Sequence, residues 1–351
     1  MYKNQDIDTA VAAGVMSRET ADAFLAHLTE ADAGVSTQYP DVEKSPDEEH
    51  FRLVSSFNDI FVVIASLLVL VSVRLLGGII HPMLGFALCA AVAWGLAEFF
   101  TRKKHMALPS IVLFFSFVGS VSVFFSLVLS ANAVESSKWF VWVMFALFVF
   151  SAYMHWLRFR VPITVAAISG SVAIFVSALL KSIDSSNASI NSLALFVIGL
   201  GIFALAMFWD IRDTQRKTIN TDIAFWLHLL AAPLLVQAVF PMENVFAQNW
   251  ASNAPMITST QVLLAIVLYI GIGITSLAID RRAIMASSLI YIIVLLGSYL
   301  KQSNLADSAF TVTALVIGSG LLLLSAFWKR CRALIVLRLP LGLQKYLPVI
   351  A

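Results

Sequence analysis

The chain has 351 residues, of which 60% are hydrophobic and 13% charged, with a net charge of +2. Soluble domains carry about a quarter charged residues, so this composition excludes a soluble globular protein and points to an integral membrane protein. Its two cysteines, Cys89 in an apolar stretch and Cys331 in a basic one, exclude a disulfide framework.

The first fifty residues are unlike the rest. They hold 3 basic and 11 acidic side chains, a net charge of −8, which leaves +10 for the remainder. Ile7, Val11 and Val15 are spaced for one helix, Gly14 can end it, and Ser17 can cap a second helix bearing Ala21, Phe24, Leu25 and Leu28. Residues 1–30 are therefore expected to form a small helical hairpin on the cytoplasmic side. Its negative charge would repel phosphates, which argues against nucleic acid as a partner and for a cap or a docking element for a cytoplasmic protein. Residues 31–58, with Pro40, Pro46 and the acidic run Asp47-Glu48-Glu49, read as an acidic linker and pre-membrane segment.

Residues 59–328 read as a polytopic all-α transmembrane bundle. Apolar stretches at 60–76, 83–100, 107–130, 139–157, 161–180, 192–209, 222–240, 260–279, 283–300 and 309–328 each approach the length a bilayer core demands, which predicts about ten spans. The first begins too far into the chain for a cleavable secretory signal and is expected to act as its own insertion signal. With the N-terminus in the cytoplasm, Arg102, Lys103, Lys104, Arg158, Arg160, Arg212, Arg216, Lys217, Arg281 and Arg282 all fall in cytoplasmic loops. Lys3, Arg18, Lys44 and Arg52 join them at one end, and Lys329, Arg330, Arg332, Arg338 and Lys345 at the other. Arg74, Lys138, Lys181 and Lys301 remain on the opposite face, and this asymmetry orients both termini inward. Short loops fit a bacterial inner membrane. Residues 329–351 form an amphipathic tail in which Pro340 and Pro348 argue against an eleventh span.

Within the bundle, Val-Ile-Gly-Leu-Gly-Ile-Phe-Ala-Leu-Ala-Met-Phe-Trp at 197–209 parallels Val-Ile-Gly-Ser-Gly-Leu-Leu-Leu-Leu-Ser-Ala-Phe-Trp at 316–328. Lys181 and Lys301 also correspond, so spans five and six are expected to recur as nine and ten in the same orientation. The pairs Gly199/Gly201, Gly271/Gly273 and Gly318/Gly320 are expected to let helices approach closely. Phe99-Phe100, Phe208-Trp209 and Phe327-Trp328, each followed by basic residues, read as interfacial anchors. Glu98, Asp210, Asp213 and Asp280 lie near Arg102, Arg212, Arg216 and Arg281, which suggests salt bridges between sequence neighbours.

The seventh span is chemically the most unusual. At 100° per residue, Asp222, Trp226, Leu229, Pro233 and Gln237 share one side, a polar stripe that could line a cavity, while His228 projects away toward a different neighbour. Asp222 or Thr221 can alternatively cap the helix, His228 can be a neutral buried hydrogen-bonding group, and Pro233 can serve packing. No zinc-binding His-Glu-x-x-His, phosphate-binding glycine loop or Gly-x-Ser-x-Gly elbow occurs, so no catalytic residue, metal site or cofactor is expected.

The stretch Ala-Val-Ala-Ala-Gly14-Val-Met-Ser17-Arg-Glu-Thr-Ala-Asp-Ala-Phe at 10–24 resembles the DUF2157 group of bacterial membrane proteins. The turns Arg158-Phe-Arg160-Val-Pro162-Ile-Thr-Val-Ala-Ala and Arg102-Lys-Lys-His-Met-Ala-Leu-Pro109 are similar to that group as well. The resemblance implies an inner-membrane helical architecture and supplies no catalytic residues. Passage of a small solute or ion along the polar stripe is one expectation for function. A structural or assembly role that presents the acidic cytoplasmic region to a partner is the alternative, and an enzyme acting on a lipid or envelope precursor is the third. The bilayer itself is a partner in every case, and the oligomeric state is left open.

Overall fold

A computed structural model of the protein describes residues 11, 13–14, 17–22, 57–132, 139–183, 188–213, 216, 218–239, 257–302, 306–344 and 347. Among these, the regular structure is helical throughout. The chain divides into two units, Met1–Glu48 and Glu49–Ala351. In the first, Gly14 adopts φ +68°, its N–H bonds the Val11 carbonyl at 3.1 Å, and the Ser17 hydroxyl accepts the Thr20 N–H at 3.2 Å ahead of helical residues 18–22. The rest of the expected hairpin, and the linker up to residue 56, lie outside the described residues.

The second unit is built from α1 (Phe57–Ile80), α2 (Pro82–Phe100), α3 (Ala107–Ala131), α4 (Phe140–Phe159), α5 (Ile163–Ile183), α6 (Ala188–Arg212), α7 (Ile219–Val239), α8 (Ser259–Ile279), α9 (Arg282–Gln302), α10 (Ala306–Ala326), α11 (Trp328–Val336) and α12 (Leu341–Gln344). Among the described residues, nine helices, α1 to α9, are long and apolar enough to cross a membrane, so the protein is a multi-pass helical membrane protein. The stretch expected as the tenth span is also helical, and its apolar segment Ile317–Ala326 belongs to α10.

Local chemistry fixes the helix ends. Pro82 opens α2 behind His81, whose Nδ1 accepts the Met83 N–H at 3.2 Å. At α8, Thr258 and Gln261 form a reciprocal capping box. The reversal between α1 and α2 needs glycine at two positions. A Cβ on Gly77 would lie 2.8 Å from the Gly85 Cα, so the two backbones meet where no larger residue fits. Arg160 and Asp280 close α4 and α8 in the left-handed conformation, with φ 50° and 61°.

Helix α7 is central. It packs against α5, α6, α8 and α9, and 44% of its apolar window is buried against 17% for α1. Ile223, Leu227 and Ala231 meet Ala166, Ile202 and Ala206 on one side, while Ala232 and Val236 join Ile272, Ile292 and Leu295 on the other. Helix α1 instead turns Ile64, Leu68, Leu76 and Ile79 outward, an apolar face suited to lipid. The short helix α11 folds back onto α8 and α10.

The glycine pairs divide. A Cβ on Gly199 would come within 3.1 Å of Leu235 on α7, and one on Gly273 within 3.7 Å of Met285. At Gly201, Gly271, Gly318 and Gly320 nothing lies within 4 Å, so these four do not mediate close helix contact among the described residues. The reason is rotational: residues two apart on a helix point some 160° apart, so a Gly-x-Gly pair cannot present both members to one neighbour.

Candidate functional site

The ends of α6 and α8, the start of α7, the turn into α9 and the helix α11 bring a set of charged side chains together. Asp210, in the last turn of α6, bonds His228 Nε2 of α7 at 2.8 Å and also receives the guanidinium of Arg281. The His228 ring is fully buried and lies edge-on to Phe203 at 5.4 Å, and the Arg281 side chain is 1% exposed. With Asp210 ionised, His228 must carry its proton on Nε2, which fixes its tautomer. Arg281 reaches a second helix through the Thr221 carbonyl at 3.4 Å, while its own carbonyl accepts the Ser276 hydroxyl at 2.5 Å.

A second acid, Asp280, is placed by the left-handed turn that ends α8. Its carboxylate accepts Trp328 Nε1 at 2.7 Å, pairs with Arg216 at 3.4 Å and lies 4.0 Å from Arg332. Arg216 also donates to the carbonyls of Ile279 and Asp280, at 3.1 and 2.8 Å. It thereby satisfies orphan acceptors at the end of α8. The guanidinium of Arg282 stands 5.0 Å over the Trp328 ring. Asp213 supports the connection into α7, accepting Thr218 N–H at 2.7 Å, Thr218 Oγ1 at 2.6 Å and Thr221 Oγ1 at 2.9 Å.

These contacts revise the partners expected from sequence proximity. Asp210 pairs with Arg281 rather than Arg212, whose guanidinium sits over Phe208 at 3.9 Å, and Asp280 pairs with Arg216 rather than Arg281. Glu98 does bond Arg102 at 3.3 Å, and Arg158 of α4 at 2.5 Å as well. Helix α7 starts earlier than expected, at Ile219. Thr218 caps it through the Asn220 N–H at 3.3 Å, so neither Thr221 nor Asp222 is the capping residue, and Asp222 is a first-turn acid that complements the helix dipole. Trp328 is not a membrane-facing anchor. It is 4% exposed and its indole is engaged by Asp280, whereas Phe327 stays 45% exposed.

The α7 stripe divides along its length. Asp222 is half-buried near Arg281 and Asp213 and takes no part in the bonds above. Trp226 and Leu229 border an apolar groove in which Ser122 and Ser171 supply the hydroxyls, and neither Asp222 nor Gln237 lines it. The helix runs unbroken through Pro233. The middle of the stripe thus borders an apolar groove that its two polar ends do not line.

His155 of α4 escaped notice in the sequence because an isolated histidine on an aromatic-rich helix carries no motif. It is fully buried, ringed by Trp94, Phe114, Phe117 and Phe159 at 4.6–6.0 Å, and neither ring nitrogen has a hydrogen-bond partner. Among the described residues no group of three or more His, Cys, Asp or Glu side chains is placed to hold a metal ion.

The charges of the cluster are matched to one another, and each link joins two different elements. Its chemistry is that of a clamp at one end of the bundle. Comparison with family models, with curated proteins and with solved structures found no match, so the geometry alone carries the functional reading.

Proposed function

We propose that the protein has a structural or assembly role in the bacterial inner membrane, with ten spans and both termini in the cytoplasm, and presents its acidic residues 1–50 to a cytoplasmic protein. The observation that supports this reading is the clamp. The ionisable groups Asp210, His228, Arg216, Arg281 and Asp280 are bound to one another and hold helices together. The apolar groove beside Trp226 offers no polar relay between Asp222 and Gln237. The resemblance to the DUF2157 group belongs to the same reading and adds no chemistry. Passage of a small solute or ion is the second reading, and it rests on Asp222, a half-buried carboxylate outside the clamp.

Liposomes of phosphatidylethanolamine and phosphatidylglycerol with an entrapped pH-sensitive dye separate the two. The structural reading expects proton flux at the level of protein-free vesicles. Flux above that level that disappears in Asp222→Asn replaces it with the transport reading. In cells, a chain lacking residues 1–50 should insert normally yet reproduce the phenotype of complete loss, and full activity of that truncated chain overturns the presentation role. Reporters fused after Lys104, Lys181 and Arg330 should report inside, outside and inside. An outside signal after Arg330 would mean that α10 does not cross and that the bundle has nine spans.

A further inference from the structure

Between α3 and α4 on one side and α5 and α7 on the other runs a groove of about 720 Å³. One wall is aromatic, with Phe115, Phe145 and Phe148, and Phe145 stacks on Phe175 of α5 at 4.3 Å. The floor is cut by small residues of α5, Ala166, Ala167, Gly170 and Ala178, which recur at helical spacing and leave the space unfilled. Along α5 the groove extends from Ile163 to Ala178, about 22 Å at 1.5 Å per residue, most of the thickness of a bilayer core. It opens sideways, since its border residues Ile174 and Phe115 are 74% and 50% exposed within membrane-spanning helices.

Three physical facts choose the occupant. Apolar walls with nothing against them forfeit dispersion contacts, so a groove open to the bilayer core is filled rather than left bare. Water is a poor filler in a space this apolar. Counting all the space between its walls, about 1490 Å³ with the open side included, the mean cross-section over that length is about 68 Å², whereas a helix with its side chains, about 10–12 Å across, occupies roughly 80–110 Å². A transmembrane helix from a partner or a second copy is too wide to seat fully between these walls. An extended hydrocarbon chain is narrow, apolar and present at the groove's open side. We infer that this groove is a binding site for one acyl chain of a bilayer lipid, held lengthwise between α4, α5 and α7 as a resident component of the fold. The inference is independent of the proposed structural role and requires only that the helices span a membrane.

The full chain, purified in detergent after washing, should retain close to one lipid per chain by extraction and mass spectrometry. Gly170→Leu combined with Ala178→Phe fills the groove, and retained lipid should then fall roughly fivefold or more while gel filtration and helix content stay unchanged. Equal lipid retention by the wild type and a folded filled variant overturns the assignment. Should the filled variant fail to fold, labelling of the wild type decides, using a phosphatidylethanolamine with a diazirine near the middle of its acyl chain. Cross-links concentrated on Met144, Ile174 or Leu229 support the site. Labelling no denser there than on the outward face of α1, at Ile64 and Leu68, overturns it, as does disulfide cross-linking between two copies through a cysteine introduced at Ile174.

Discussion

Replacing Arg281 with Met tests whether the clamp holds the bundle. The substitution keeps an unbranched apolar stem and removes the guanidinium that reaches Asp210 and the Thr221 carbonyl. Breaking one partner of a buried ion pair costs about 3–5 kcal/mol, because the other charge is left in a medium that solvates it poorly. Asp210 keeps its bond to His228, so the loss should fall near 3 kcal/mol, the lower end of that range. Asp210→Leu alone should cost as much or more, since it orphans Arg281 and His228 together. With both changed, no uncompensated charge remains, and the pair should cost about 1–3 kcal/mol, the price of the unbonded His228. The cycle then yields a coupling of at least about 3 kcal/mol. Unfolding in mixed micelles, titrated with dodecyl sulfate and followed by circular dichroism, measures all four species. Additive losses, or a single Arg281→Met loss below about 0.5 kcal/mol, would refute the view that this network stabilises the fold.

The two buried histidines should respond in opposite directions. His228→Phe loses a bond to a charged group and should destabilise by about 1.5–3 kcal/mol, whereas His155→Phe removes unpartnered ring nitrogens from an aromatic cage and should be neutral or stabilising by up to about 2 kcal/mol; the same micelle titration reads both. Among glycines, Gly77→Ala should disrupt the α1–α2 reversal and lower membrane abundance. Gly318→Ala, with open space around it, should stabilise α10 by up to about 1 kcal/mol. A cysteine introduced at Leu337, 69% exposed, should react with a membrane-impermeant thiol reagent only in inside-out vesicles, and labelling in right-side-out vesicles contradicts the inward placement of the tail.

Hydropathy located the spans well because a backbone in lipid must satisfy its own hydrogen bonds, so the length of an apolar run is the length of a helix. The boundaries moved outward where a polar group found cover. Helix α1, expected over 60–76, runs from Phe57 to Ile80, and Asp59 is buried in its first turn. The bond of His228 to Asp210 depends on which helices are neighbours, a tertiary fact that spacing does not encode. The same limit hid the pairing of Asp210 with Arg281, 71 residues away. Identical Phe-Trp dipeptides also met different fates. Trp328 is buried where α10 stops at Ala326 and α11 starts at Trp328, while Trp209 lies within α6 and packs half-buried against the core shared with α5 and α7. The groove was invisible because nothing in the spacing of Ala166, Ala167, Gly170 and Ala178 tells whether a small residue meets a neighbouring helix or borders a gap.

The left-handed turns at Arg160 and Asp280 impose opposing demands on the residues that occupy them. Each places an L-residue where glycine would sit without strain, at a penalty of about 1–2 kcal/mol. Asp280 recovers that penalty through Trp328 and Arg216, so glycine there would relax the backbone and still leave the protein weaker. Arg160 is exposed and enters none of the ion pairs beside it, which are made by Arg102 and Arg158 with Glu98. A glycine at that position should therefore give a sturdier folded bundle, and one less charge to tell the insertion machinery which way round to leave it. Stability of the finished structure and signalling during insertion thus favour different residues at the same turn.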